Sequence, residues 1–460
     1  MNLISRVKQK WEKMDESWRF AITAFLIART FYAAWSWVVL TVQPVAVHYV
    51  EAEEKPAVLF LNLHTNQIHT YLRSIEGNQL AFRSAGRNLV TDLQTGSIWN
   101  IDSGKAGAGF YEGQILTLVK SPEDMFSYFS TQPYPVAWLA LWQRFDANWY
   151  TSIAEYGYGT IAGDHAFPPL FPLLIRLLIP LTGSAFLAGL LISHISTLYA
   201  LKLLYSTFDE IGDKIIAQRA VLFLLLFPTS FFFFSVYTES LFLVFTLLSL
   251  QSIKTRSWLW AGFWVSCATL TRVQGLALLC PLSYAMWKDP PFLRKLQHWA
   301  GAFIAGSGAL IYFSFRARFT TNLLPSTTSA WEPVWHWTFV PPWEGYLFAV
   351  RTLLSGQFTY IDVLNWLATT IFIILLVAGW KKIPMEHTLF VAVSLLIMLT
   401  RVIETKPLNS ILRYLLTMFP VFYIASYWSN SPWKQRLIIY TCIALNLFLS
   451  AEFFGWGWVA

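Results

Sequence analysis

The strongest constraint on this chain is a series of long apolar runs whose polar connections alternate in charge. Apolar stretches lie near 20–42, 185–206, 218–236, 239–253, 258–271, 275–287, 299–316, 361–380 and 387–402, with two more before the C-terminus. Several approach the roughly 20 residues a helix needs to cross the hydrocarbon of a bilayer. Only 13% of the 460 residues are charged and 55% are hydrophobic, whereas soluble domains carry about 25% charged residues. Every second connection is basic: Lys214 and Arg219, Lys254 and Arg256, Lys288 with Arg294 and Lys295, Lys381 and Lys382, Lys434 and Arg436. The first 19 residues add Arg6, Lys8, Lys10, Lys13 and Arg19. Basic flanks stay cytoplasmic, so the N-terminus is expected inside. The pattern predicts an all-α polytopic membrane protein of about eleven helices. The first run is too long for a signal-peptide core and lacks a clear cleavage site, which makes it an uncleaved helix. Arg29 within it either serves function or faces other helices. The net charge of +7 follows from this topology, so nucleic-acid binding is not expected.

Residues 48–130 differ in kind. Patches of alternating apolar residues are punctuated by turn formers such as E-G-N-Q, S-A-G-R-N, Q-T-G-S and S-G-K-A-G-A-G. They read as a small β-rich insertion outside the membrane. The organisation is then a cytoplasmic N-terminus with the first helix (1–47), the insertion (48–130) and a helical membrane domain (131–460). Cys267, Cys280 and Cys442 all fall in apolar runs and form neither a disulfide framework nor a metal-spaced set. No internal repeat or low-complexity tract is evident.

Between the insertion and the main helical region lies residues 133–183. Phe145, Trp149, Ile153 and Tyr156 recur at helical spacing, while Asp146, Tyr150 and Glu155 lie off that stripe. Gly157 and Gly159 end the helix. The apolar run after Pro169 holds about a dozen residues before Pro180, too few to span. It is expected to be re-entrant or surface-lying. Asp146 is thereby held near the water edge of a membrane, beside a hydrophobic ledge.

This stretch contains W-Q-R-F-D-A-N-W-Y-T-S-I-A-E-Y-G-Y followed by A-F-P-P-L-F-P-L-L-I-R, which resembles the PIG-V family. These are GPI mannosyltransferase 2-like enzymes and bacterial relatives within the GT-C class of membrane glycosyltransferases. F-P-T-S-F-F-F-F-S-V-Y-T-E-S-L-F at 227–242, A-T-L-T-R-V-Q-G-L at 268–276 and R-Y-L-L-T-M-F-P at 413–420 fit as well. The resemblance covers Trp18 to about Gln43 and about Tyr134 to the C-terminus. Residues 55–120 resemble part of an uncharacterised bacterial β domain whose usual cysteine motif is absent, so no function carries over. The PIG-V resemblance implies a GT-C-like fold and the transfer of mannose from a polyprenyl- or dolichyl-phosphate donor. It also implies that Asp146 is the acid of the family's first outer loop. The bacterial-looking insertion favours a bacterial plasma membrane, and a glycolipid or glycan acceptor over a GPI precursor; a eukaryotic relative would sit in the ER membrane.

Such a transfer needs a base for the acceptor hydroxyl, cations for the departing phosphate and an apolar groove for the lipid tail. Asp146 is the candidate base, although it could instead cap its helix or pair with Arg144. Arg413 and Arg272 suit a phosphate through the guanidinium fork; alternatively one anchors a helix and the other closes a hairpin. Glu239 and His165 are candidates to orient the acceptor or sugar, unless Glu239 only complements a helix N-terminus and His165 is a plain loop residue. Arg144 and Tyr150 complete the substrate-binding set, and Pro168, Pro169, Leu170 and Phe171 the lipid groove. The Trp-rich outer loop with Trp331, Glu332, Trp335 and His336 reads as an interfacial belt. No cofactor is expected: there is no H-E-x-x-H, D-x-D in the first outer loop, or Gly-rich phosphate loop. The expected enzyme is inverting and metal-independent, with its site outside and lipid-linked sugar, acceptor and membrane lipids as partners. The rival reading is a transporter or flippase, but such proteins place charges at the bilayer midplane and carry repeats.

Overall fold

The structure is a computed structural model that describes residues 11–52, 54–121, 134–160, 163–289, 295–318, 337–403 and 406–459. The chain divides into two units, Met1–Arg29 with Trp149–Asn446 and Val459–Ala460, and Thr30–Asn148 with Leu447–Trp458. Helix α1 (Glu16–Val42) begins in the first and ends in the second.

The second unit carries the insertion as ten short strands. These are β1 (Val45–Ala52), β2 (Lys55–Asn62), β3 (Ile68–Leu72), β4 (Ser74–Ile75), β5 (Asn78–Gln79), β6 (Phe82–Gly86), β7 (Leu89–Asp92), β8 (Ile98–Asn100), β9 (Ala106–Ala108) and β10 (Leu118–Val119). They form two antiparallel four-stranded sheets, β1-β2-β3-β10 and β6-β7-β8-β9, with β4-β5 as a separate hairpin. Val58, Phe60, Tyr71, Phe82, Val90 and Trp99 belong to its core. Three turns share one design. The side-chain oxygens of Asn62, Asp92 and Asn100 accept N–H bonds from Thr65, Thr95 and Ser103. The next residues, Asn66, Gly96 and Gly104, take φ of 55°, 75° and 67° and return their N–H to the carbonyl of the first residue. Asx side chains and left-handed residues are what such turns require. The insertion thus reuses one five-residue turn, whose hydrogen bonds unite three sequences that share few residues.

Two further helices connect this unit to the helical one, α2 (Ala137–Ala140) and α3 (Asp146–Tyr156). The helical unit continues with α4 (Leu170–Thr182), α5 (Ala185–Ile211), α6 (Lys214–Leu226), α7 (Glu239–Lys254), α8 (Trp258–Thr271), α9 (Leu279–Trp287) and α10 (Leu296–Ala317). Then come β11 (Trp337–Phe339), α11 (Pro342–Leu354), α12 (Tyr360–Gly379), α13 (Met385–Leu399), β12 (Arg401–Ile403), α14 (Ile411–Leu415), α15 (Pro420–Trp428) and α16 (Pro432–Phe454). Three helix starts carry side-chain caps: Ser184 accepts the N–H of Leu187, Asp213 that of Ile216, and Thr359 forms a capping box with Asp362. Gly262 and Gly301 let α8 and α10 meet at backbone distance; a Cβ on Gly262 would lie 2.1 Å from the Gly301 carbonyl oxygen. Small residues at a helix crossing are how apolar helices pack without a hydrophobic drive between them.

Five helices among the described residues are long and apolar enough to cross a membrane: Glu16–Val42, Ala185–Ile211, Leu296–Ala317, Tyr360–Lys382 and Pro432–Phe454. Other expected spans are shorter or broken. Pro228 ends α6 by forcing Phe227 out of helical geometry (φ −53°, ψ 142°). Pro420 splits the tenth run into α14 and α15. The long loop before residue 360 holds β11, paired antiparallel with β12, and amphipathic α11. Trp331, Glu332, Trp335 and His336 lie outside the described residues.

Candidate functional site

Three of the residues singled out in the sequence meet within the helical unit. Glu239, the first residue of α7, is fully buried. Its Oε1 accepts from Arg272 Nη1 and lies 3.1 Å from Arg413 Nε. Arg272 Nη1 also donates to Thr238 Oγ1 at 3.0 Å. Each partner is placed by local chemistry. Ser193 and Thr197 on α5 donate to the carbonyls of Tyr237 and Phe233, fixing the turn that leads into α7. Arg272 is extended between α8 and a 3-10 turn over Val273–Leu278. That turn folds back on α8 through Gly275, where a Cβ would lie 2.4 Å from the Thr269 nitrogen. Arg413 sits on α14, entered through Ser410 at φ 62° and tied by Thr229 Oγ1 donating to the Leu412 carbonyl.

Tyr414 joins this cluster, and the sequence reading missed it. Arg401 donates to its hydroxyl at 3.0 Å. The guanidinium carbons of Arg272, Arg401 and Arg413 lie 4.7, 5.4 and 5.7 Å from its ring centroid, within cation–π range. Tyr414 lies outside the five candidate spans. Burial raises its phenol, but Arg401, Arg413 and Arg272 together outweigh burial and pull it down to about 8. Two arginines therefore share one buried carboxylate, and a third, Arg401, meets them at the Tyr414 ring. Arg272 Nε and Nη2 are buried and make no hydrogen bond among the described residues, donors that an anion could satisfy.

Tyr150 on α3 reaches the edge of this cluster, its hydroxyl 3.5 Å from Thr238 Oγ1. Phe167 and Phe171 pack edge-on against its ring at 5.1 and 5.0 Å. Phe171 and Pro168 are buried, and Pro169 and Leu170 partly so; they shape the loop around Tyr150. α4 has 13 residues, about 20 Å at 1.5 Å per residue, short of a span as expected. Leu173, Leu177 and Leu181 form its exposed stripe. In the preceding loop Asp164, also unforeseen, is buried and accepts the N–H groups of Gly159 and Thr160. Neighbouring His165 Nδ1 lies 3.9 Å from Asp164 Oδ1. Burial and then Arg316 hold His165 below its usual range, against the pull of Asp164. The signal for Asp164 was its place between two glycine-bearing turns.

An apolar groove of about 640 Å³ opens between α6, α12, α15 and α16. Phe227, Leu367, Phe372, Leu412, Phe422 and Leu437 line it. Leu412, which lines it, precedes Arg413 in the chain.

Arg144 and Asp146 belong to the other unit. Both are buried. Arg144 Nε donates to the Phe454 carbonyl at 3.0 Å and Nη1 to that of Ala140 at 2.8 Å, with Trp456 stacked 5.0 Å away. The arginine expected to bind substrate thus ties the C-terminal end of α16 to α2. Asp146 opens α3, where a carboxylate suits the helix dipole. Phe145 before it has φ 49°, a costly conformation for a bulky residue, packed against Phe453, Trp456 and Trp458. Among the described residues no three His, Cys, Asp or Glu side chains gather as a metal set.

Five helices long and apolar enough to cross a membrane fit a multi-pass membrane protein. The comparison agrees: residues 164–316, about a third of the chain, match the family model described as dolichyl-phosphate-mannose-protein mannosyltransferase. That match supports a multi-pass membrane mannosyltransferase and includes Glu239 and Arg272. No curated protein and no solved structure matches the chain.

Proposed function

We propose that this protein is an inverting, metal-independent mannosyltransferase of PIG-V type, using a polyprenyl- or dolichyl-phosphate mannose donor. The observation that carries the reading is the Glu239–Arg272–Arg413 cluster, with buried Arg272 donors and an apolar groove lined by Leu412, the residue before Arg413. A lipid phosphate needs both features, cations for its head and a groove for its tail. In this scheme the acceptor hydroxyl attacks the anomeric carbon as the carbon–oxygen bond to phosphate breaks. Asp146 takes the hydroxyl proton, and the phosphate leaves with the bonding electrons toward Arg272 and Arg413. One displacement inverts the anomeric centre. Glu239 balances the two arginines, and Tyr150 and His165 border the sugar and acceptor. The site faces the extracytoplasmic side, with the N-terminus inside, as the basic connections favour. The acceptor is a glycolipid or glycan.

The test uses purified protein in nanodiscs with radiolabelled polyprenyl-phosphate-mannose and EDTA. Wild type should release label, and Asp146→Asn should bind donor while losing release by about 10²–10⁴-fold. Equal release by both proteins would remove Asp146 from the mechanism. Release that EDTA abolishes would end the metal-independent reading. Neither binding nor release would favour a transporter.

A further inference from the structure

A charged cavity lies at the other end of the helices that carry Glu239 and Arg272. α7 starts at Glu239 and ends at Lys254; its 16 residues span about 24 Å at 1.5 Å per residue. α8 runs back from Trp258 to Arg272, and α9 returns to Lys288. The far ends of these helices, with α5 and the start of α13, enclose about 660 Å³. Lys202, Lys254, Arg256, Lys288, Lys381 and Lys382 line it, against Glu210, Asp289 and Glu386. Two of the three carboxylates are already engaged. Glu210 takes Lys254 at 2.6 Å, and Asp289 takes Arg256, Lys295 and His298. Lys202, Lys288, Lys381 and Lys382 form no ion pair with a carboxylate among the described residues. The wall also holds His387, whose residue is 7% exposed and whose Nδ1 is buried with no hydrogen-bond partner there.

The cavity's surroundings choose between a soluble anion and a lipid. Leu203, Leu247, Leu250 and Ile383 continue the wall as apolar surface. Lys288 stacks on Tyr284, Lys381 on Trp380 and Lys382 on Tyr427, and Trp287 and Trp380 are exposed beside them. Amphipathic rings and lysines together mark the depth of phospholipid headgroups, where basic pockets between helices capture anionic heads. We propose that this cavity holds the headgroup of an anionic phospholipid, its phosphate among Lys202, Lys288, Lys381 and Lys382 and its acyl chains along the apolar wall. The site is independent of the transfer reading, since it shares no residue with the Glu239 cluster.

The test measures binding of phosphatidylglycerol to the full chain in neutral detergent, with phosphatidylcholine and inorganic phosphate as comparisons. Wild type should bind phosphatidylglycerol at least about tenfold more tightly than phosphatidylcholine, and lose that preference in high salt. The variant Lys202→Gln/Lys288→Gln/Lys381→Gln/Lys382→Gln should weaken phosphatidylglycerol binding at least about tenfold, while the corresponding four Lys→Arg changes retain it. The arginine variant and the wild-type salt response decide the matter even if the glutamine variant folds poorly. Equal binding of the two lipids, or unchanged binding in a folded glutamine variant, would overturn the proposal. Displacement of the lipid by millimolar inorganic phosphate would overturn it too, by making the cavity a site for a soluble anion.

Discussion

Two buried arginines show how little burial alone says about function. Arg144 and Arg272 are 1% and 6% exposed, and both stood out in the sequence as substrate candidates. Arg144 donates to backbone carbonyls of α2 and α16 and stacks on Trp456. Those bonds join the end of α16 to the end of α2. Arg272 faces a carboxylate and a hydroxyl, shares the carboxylate with Arg413, and keeps buried donors in reserve. A guanidinium on carbonyls completes helix ends that would otherwise be unsatisfied. A guanidinium with buried donors still unbonded among the described residues can hold something not covalently part of the chain.

The sharpest way to break this contrast is to remove each arginine. Arg272→Met should lower turnover of the lipid-phosphate sugar by about 10²–10³-fold, the loss typical of one charge-stabilising donor, with the melting temperature little changed because Arg413 still pairs Glu239. Arg144→Met should instead lower the melting temperature, since it strands buried carbonyls at about 1–3 kcal/mol each, and leave turnover per folded molecule near wild type. Thermal melts and single-turnover assays on both variants decide it. Loss of turnover in Arg144→Met at an unchanged melting temperature would erase the distinction.

The sequence made one side of this contrast visible and hid the other. Glu239, Arg272 and Arg413 were legible because each interrupts or ends an apolar run, where a charge is costly enough to need a reason. What Arg144 touches was not, because its partner Phe454 lies 310 residues away and a backbone carbonyl leaves no mark on residue identity. Tyr414 was overlooked beside Arg413 because a tyrosine near a membrane boundary already has an interfacial explanation. The broken third and tenth helices were readable at Pro228 and Pro420, yet the apolar runs across them suggested continuity. The β11–β12 pairing joins residues 337–339 to 401–403, a non-local contact no local pattern could announce. The insertion's β character was plain from its turns, while its repeated Asx design appeared only with the hydrogen bonds.

Glu239 offers the next test, with a smaller effect on turnover and a larger one on stability. Glu239→Gln removes the carboxylate charge that Arg272 and Arg413 share. Breaking a buried ion pair this way costs about 3–5 kcal/mol, which a denaturant melt would register. If the cluster is an anion site, polyprenyl phosphate should bind the variant more tightly and restore part of the lost stability, since ligand binding to the native state adds to it. If Glu239 instead orients the acceptor, donor affinity should stay constant and acceptor-dependent turnover should fall. Unchanged stability would mean the carboxylate is not holding the arginines.

The smallest effect concerns Tyr414 and reads the field itself. Its phenol, held near 8 by Arg401, Arg413 and Arg272 against burial, should ionise about two pH units below an ordinary tyrosine at 10. Between pH 8 and 10 the folded protein has released this proton while the unfolded chain keeps it. Stability contributed by this group therefore grows as pH rises through that window and is lost as pH falls through 8. Tyrosinate absorbance should show a one-residue step near pH 8 that is absent in Tyr414→Phe. Arg401→Met should move the step upward. Adding polyprenyl phosphate should move it upward too, because an anion between the arginines cancels the charge that lowers the phenol. Arg144→Met should leave it in place, since the two arginine sites do different work. A step that ignores the lipid phosphate would place the anion elsewhere and return the Glu239 cluster to a purely structural role.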